Sequence, residues 1–280
     1  MTSLVKRVLL TFTMVPALFA LIYFLPHYQH LAFAILAVVV TAYGSYEVKT
    51  LAFSGEEKPL IPFWLPAFLP AAEYIEMALD FSIPIAESIL FVLIALSFTI
   101  EIKRGERDHF KLSMHRISRT LFLIIYPGFF ALFLVRILSF EYATELLLLL
   151  FLLVFANDVF AYVFGMSFGK TNRNIVEVSP NKSMAGFIGG TISAMILGLL
   201  FVRFVPSMHA LFTWWEALVI GFVSSLASIL GDLIESTFKR SAGKKDSGTI
   251  MMGRGGLLDS IDSLLITAPF YMFFTTLFSL

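Results

Sequence analysis

Apolar runs of about 18–22 residues recur along the chain from residue 8 to its last residues, the length an α-helix needs to cross ~30 Å of hydrocarbon. A chain with this spacing has few choices. Its backbone N–H and C=O groups must be satisfied within helices, because lipid offers them no partner. Composition agrees, with 58% hydrophobic residues and 14% charged, against roughly 25% charged in soluble domains. The expected fold is an all-α polytopic integral membrane protein of about nine transmembrane helices. The spans are placed at 8–25, 31–48, 60–79, 83–100, 117–138, 144–164, 185–205, 213–234 and 262–280. The third is interrupted by Pro62, Pro66 and Pro70 and contains Glu73 and Glu76. It is the span most open to a re-entrant path. The first follows Lys6 and Arg7 without a small-residue cleavage site, so it reads as a retained helix.

Loop charge sets the direction of threading. A cytoplasmic N-terminus puts the loops near 49–58, 101–119, 165–184 and 235–261 on the inside. With Lys6 and Arg7 these hold all but two of the 20 Lys and Arg residues, leaving Arg136 and Arg203. That asymmetry is the one the positive-inside rule requires. The chain divides into an N-terminal set of helices, 1–143, and a C-terminal region, 144–280, that carries the loops 165–184 and 235–261.

The chemistry concentrates in that second region. Between Gly231 and Asp262 lie five carboxylates (Asp232, Glu235, Asp246, Asp259 and Asp262) and five cations (Lys239, Arg240, Lys244, Lys245 and Arg254). Asp232 and Glu235 lie three apart, hence on one helical face, and Asp259 and Asp262 repeat the spacing. Paired like charges repel unless a cation sits between them, which favours a divalent metal. A helix-dipole role for Asp259 and Asp262 is compatible with that. The glycines among the cations let backbone approach a phosphate, although GRGG by itself carries little weight. Juxtamembrane lysines also commonly fix topology or touch anionic lipid. Asp158 lies inside an apolar span, where a carboxylate costs about 2.5–3.5 kcal/mol on insertion scales and needs a partner or water. Asn157 beside it could serve as an interhelical partner instead.

Other signals drop out. Zero cysteines exclude disulfides and Cys-ligated metals, and the five histidines form no metal-ligand spacing. Gly165 and Gly169-Lys170-Thr171 imitate a P-loop, but only three residues separate the glycines where four are needed. Charges balance at 20 of each sign, and no nucleic-acid partner is expected.

Ser236 to Arg240, Lys245-Asp246-Ser247-Gly248 and Gly255-Gly256-Leu257-Leu258-Asp259-Ser260-Ile261-Asp262 together resemble the signature of the phosphatidate cytidylyltransferases. Asn157-Asp158, Ala161-Tyr162 and the run from Ser179 to Gly186 resemble a second block of that family, so the likeness covers about residues 150–262. Arg254 stands where the family usually has His, Ser260 where it has Arg, Met252 where it has Pro and Ala185 where it has Glu. The resemblance implies transfer of the cytidylyl group of CTP to phosphatidic acid, with Mg²⁺, and a second cation beside it, as cofactors. It implies Asp232, Asp259, Asp262 and Glu235 as metal ligands. Asp246, Lys239, Arg240, Lys245 and Arg254 would be catalytic, and Ser179, Lys182, Ser183, Lys244, Gly255, Gly256 and Asp158 would bind substrate. The setting implied is the bilayer of a bacterial inner membrane, with the site facing the cytoplasm and a homodimer as a compatible assembly. Two other classes compete: a CTP-dependent kinase of a polyprenol or other lipid, and a non-catalytic ion-coupled transporter. Transporters place ionisable groups near mid-membrane within internal repeats. Here the carboxylates sit at a span edge and no repeat is evident.

Overall fold

The computed structural model describes residues 3–53, 57–251 and 255–279; Met252 and Arg254, singled out above, lie outside the described residues. Among the described residues there are helices and two isolated backbone bridges but no β-strand. The helices are α1 (Ser3–Phe24), α2 (His27–Ala52), α3 (Phe68–Ala78), α4 (Ile85–Gly105), α5 (Ser113–Leu123) and α6 (Phe130–Arg136). They continue with α7 (Ala143–Phe168), α8 (Met184–Phe204), α9 (Pro206–Leu211), α10 (Trp214–Ser241) and α11 (Leu258–Ser279). Seven segments among the described residues are long and apolar enough to cross a membrane, α5 and α6 counting as one through a π-helical turn around Pro127.

The expected third span is not one helix. Leu65–Ala67 forms a 3₁₀ turn and α3 is 11 residues long, about 16 Å, which is half a bilayer. The prolines fit the break: Pro62 and Pro66 precede α3 and Pro70 falls in its first turn, where a missing N–H costs least, so none of them lies inside a continuous helix. The segment nevertheless runs the length of α4. Its start is tied to one end of α4, where Arg104 donates to the Lys58 carbonyl at 2.8 Å. Its finish is tied to the other end, where Glu76 accepts from the Ile85 amide at 2.8 Å. Irregular backbone at such depth must be shielded by protein. Ile61, Leu69 and Ala72 supply that shield in a buried cluster with Leu93, Ile124 and Leu132.

Contacts divide the chain into two units. One comprises residues 1–139 with 246–260, the other 140–245 with 261–280. In the second unit α8 lies close along α7, because Gly186, Gly189 and Gly190 leave room for the Ala161, Phe164 and Asn157 atoms that a side chain would strike. Small residues are the usual means of helix association in lipid, where hydrophobicity offers no drive. Thr213 and Glu216 close a capping box at the start of α10, the Thr213 amide donating to Glu216 at 2.7 Å.

The helices also run past their apolar stretches. α10 continues to Ser241 and α11 begins at Leu258, so Glu235, Lys239 and Arg240 are helical and the connecting segment is shorter than 235–261. Likewise α7 extends to Phe168 and α8 starts at Met184. Hydropathy ends where charge begins. Helical hydrogen bonding does not, and Lys239 and Arg240 in the last turn of α10 complement its dipole.

Candidate active site

The second unit gathers six of the residues singled out from the sequence. Gly231 on α10 sits against the backbone of α11, where an added Cβ would be 2.6 Å from the Asp262 carbonyl oxygen. The neighbouring Ser263 hydroxyl donates to the Ser228 carbonyl at 3.1 Å. These contacts hold α11 at Asp262 and Ser263 against α10 at Ser228 and Gly231. Asp262, only 7% exposed, thereby lies within electrostatic range of Asp232, Glu235 and Asp158. Four carboxylates thus share one locality.

Two lysines enter it. Lys182 pairs with Asp232 at 2.5 Å, and Lys239 pairs with Glu235 one helical turn away. The Lys182 pair depends on how the loop after α7 folds. The Asn174 amide donates to the Pro180 carbonyl, the Met184 amide to Asn172 and the Lys182 amide to Ser179, all at 3.1 Å, while Arg173 bridges Ser183. Ser183 then caps α8, its hydroxyl oxygen accepting from the Gly186 amide at 3.1 Å. The loop is thus a compact structure that delivers one ammonium group.

Asp158 is exposed, and the Ser228 hydroxyl donates to it at 3.4 Å. Asn157, next to it, is buried and does more bonding than the sequence suggests. It donates to Ser228 at 3.2 Å and accepts from Ser225 at 2.7 Å, and Ser225 in turn meets Thr191 at 2.8 Å. This chain of hydroxyls and an amide joins α7, α8 and α10 beside the carboxylates. Three serines on an apolar helix, at 224, 225 and 228, were the available signal. Arg240, Lys244 and Lys245 are exposed, and Ser179 is partly buried in its loop.

In the first unit the segment from Asp246 to Ser260 closes on itself. One carboxylate oxygen of Asp259 accepts from the Ser247 amide at 2.9 Å, from the Ser247 hydroxyl at 2.9 Å and from the Gly256 amide at 2.7 Å. Gly255 makes the turn possible at φ +106°, paired with Met251. Asp246 is exposed nearby. Arg254 lies outside the described residues.

A second acidic group lies elsewhere in the first unit. Glu73, Glu76 and Glu87 are the only three carboxylates among the described residues whose oxygens all lie within 4.8 Å of one another. They are already served. Arg136 spans both oxygens of Glu73 at 2.5 and 2.6 Å and also pairs with Glu87, while Glu76 takes the Ile85 and Ala86 amides. A divalent ion would have to displace a guanidinium to enter.

Residues 5–278 match the model of the cytidylyltransferase family. Over 130 residues the chain is 44% identical to a phosphatidate cytidylyltransferase of Haemophilus influenzae, a stretch covering 46% of this chain and 45% of that protein. It is 43% identical over 123 residues to a phosphatidate cytidylyltransferase of Staphylococcus saprophyticus, covering 44% and 46%. It is 39% identical over 130 residues to the uncharacterized protein YnbB of Escherichia coli, covering 46% and 42%. The chain therefore spans a little under half the length of the curated relatives it matches.

Proposed function

This chain belongs to the cytidylyltransferase family, and from that premise we propose that it makes CDP-diacylglycerol by transferring the cytidylyl group of CTP to phosphatidic acid. The observation that carries the reading is the cluster of Asp158, Asp232, Glu235 and Asp262 with Lys182 and Lys239 drawn into it. It is charged, partly open and built from three helices and a loop of the second unit.

The chemistry suits such a cluster. A phosphate oxygen of phosphatidic acid attacks the α-phosphorus of CTP, a new P–O bond forms, the bond to the β-phosphate oxygen breaks, and pyrophosphate leaves in line. The nucleophile is already an anion, so no base is needed. The obstacle is bringing two polyanions together. Hard carboxylate oxygens fit a divalent ion of the Mg²⁺ type, and Asp232 and Asp262, with Glu235 in support, would hold it. Bound Mg²⁺ would neutralise charge on the triphosphate and on the leaving pyrophosphate.

The lysines do the remaining work. Lys182 and Lys239 pair with Asp232 and Glu235, and both are placed to turn from carboxylate to phosphate as substrate enters. Arg240, Lys244 and Lys245 add a basic, exposed approach for CTP, with Arg254 assigned to the same task. Asp158, fixed by Ser228, keeps the cluster acidic. Loop charge supports a site that faces the cytoplasm of a bacterial inner membrane, where the acyl chains remain in lipid while the headgroup enters.

The test is incubation of the protein in mixed micelles with Mg²⁺, phosphatidic acid and CTP labelled separately at the α- and γ-phosphates. Label moving from the α-position into lipid supports the proposal. Movement from the γ-position points to a kinase. No transfer to any of several lipid acceptors brings the ion-coupled transporter forward.

A further inference from the structure

Glu47 is a carboxylate near the C-terminal end of α2, and it is 1% exposed. Burial of that kind needs strong compensation. The compensation comes from the other end of the chain. One carboxylate oxygen accepts from the Leu257 amide at 2.9 Å. The other accepts from the Leu258 amide at 2.7 Å and from the Ser247 hydroxyl at 3.0 Å. All of these groups belong to the first unit.

Two features make this more than a buried contact. Leu258 is the first residue of α11, so Glu47 takes N–H groups that the helix itself cannot satisfy and sets a negative charge at the positive end of its dipole. It caps α11 from about 200 residues away. Gly256 is shaped to the same carboxylate, since a Cβ there would lie 2.6 Å from the Glu47 oxygen, and Gly248 stands against it as well. Two of the segment's glycines thus make room for one acid.

Ser247 links this cap to Asp259, because its hydroxyl lies within hydrogen-bond reach of both carboxylates and its amide donates to Asp259. We infer that Glu47 is a positioning residue for cytidylyl transfer. From α2 it holds the Ser247 hydroxyl and the Leu257 and Leu258 amides, and through Ser247 and the first turn of α11 it sets the orientation of Asp259, which the family signature marks as a metal ligand. The inference rests on the proposed activity, and it concerns a residue outside the stretch that carries the sequence signature.

The experiment uses the full chain in detergent, as wild type, Glu47→Ala, Glu47→Gln and Glu47→Asp, with two readouts. Hydrogen–deuterium exchange of peptides over 246–260 reports the segment directly. Turnover, as kcat and KM for CTP normalised to folded protein, reports its consequence. In Glu47→Ala, exchange over 246–260 should rise at least tenfold while α4 peptides stay unchanged. Its kcat should fall by roughly 10–100-fold, the usual range for groups that orient a site, with KM changed much less. Glu47→Gln keeps an acceptor oxygen and the side-chain size, so it should recover part of the loss and carries the test if the alanine protein does not fold. Glu47→Asp retains the charge but is one methylene short, and should resemble alanine.

Wild-type exchange and wild-type kcat in both Ala and Gln variants would overturn the inference. So would raised exchange with unchanged kcat, which would leave Glu47 a purely structural cap. If wild-type protein transfers no cytidylyl label at all, the proposed activity fails, while the exchange result still decides whether Glu47 holds the segment.

Discussion

Two carboxylate clusters in this molecule invite the same reading and differ in how their charge is met. Glu73, Glu76 and Glu87 are tightly grouped, and their partners are a bidentate guanidinium and two helix-terminal amides. Asp158, Asp232, Glu235 and Asp262 are more loosely grouped, and their cationic partners include two lysines held by single contacts. An arginine fork fixes geometry, and its hydrogen bonds are lost together or not at all. A lysine is a point charge on a flexible stem that can exchange a carboxylate for a phosphate at little cost. On the proposed function the tighter cluster, joining α3, α4 and α6, is structural, and the looser one is the cluster that a substrate reorganises.

The comparison breaks most visibly at Asp262. Asp262→Asn replaces one buried carboxyl group with almost no change of shape, and turnover should fall by at least about 10³-fold, the scale of losing a charge-stabilising group in a reaction of this kind. Elution profile and thermal midpoint in detergent should stay close to wild type. Near-normal turnover would take Asp262 out of the site. Next comes Lys182→Ala, which should cost roughly 10–100-fold, with Lys182→Arg recovering part. Equal loss in Ala and Arg variants would mean that loop shape matters and the ammonium group does not.

The legible part of this design follows a physical rule. Spans declare themselves through hydropathy because lipid forces helices, and carboxylates in apolar helices declare themselves through their cost. Asp158 declares itself that way. Glu47 gives a weaker signal, because it stands at the end of the expected span 31–48 with Lys49 close behind it. Spacing says less about partners. Asp259 and Asp262 lie three apart on α11, yet Asp259 is taken up by Ser247 and Gly256 while Asp262 joins the carboxylates of the second unit. An i,i+3 pair shares a helical face only until tertiary partners claim its members separately. The broken third segment was also beyond pattern reading. Its prolines say where a helix stops, and only the ties at Lys58 and Glu76 say how far the chain travels.

At the tight cluster the effect expected is on stability, with catalysis spared. Arg136→Ala leaves Glu73, whose side chain is 8% exposed, beside Glu87 without its guanidinium. The loss should be about 2–3 kcal/mol, somewhat below the 3–5 kcal/mol of a fully buried pair because Arg136 is partly open to solvent. It would read as a lower thermal midpoint in detergent, with kcat per folded molecule unchanged. A large fall in kcat with an unchanged midpoint would move function toward this cluster.

Glu76→Gln is the mildest change and the sharpest discriminator. Glu76 accepts from the Ile85 and Ala86 amides at 2.8 and 3.2 Å, the role of a helix cap supplied by a neighbouring segment. Glutamine keeps one oxygen at nearly the same place, so the expected cost is about 0.5–1 kcal/mol, the scale of one weakened hydrogen bond to a helix terminus. If the three glutamates were a divalent-ion site, the same substitution would remove a ligand charge and weaken binding of Mn²⁺, used as a paramagnetic stand-in. A Mn²⁺ titration followed by electron paramagnetic resonance separates the two cases. Wild-type and Glu76→Gln protein should bind Mn²⁺ equally, while Asp262→Asn binds less. A loss confined to Glu76→Gln would reverse the assignment of the two clusters.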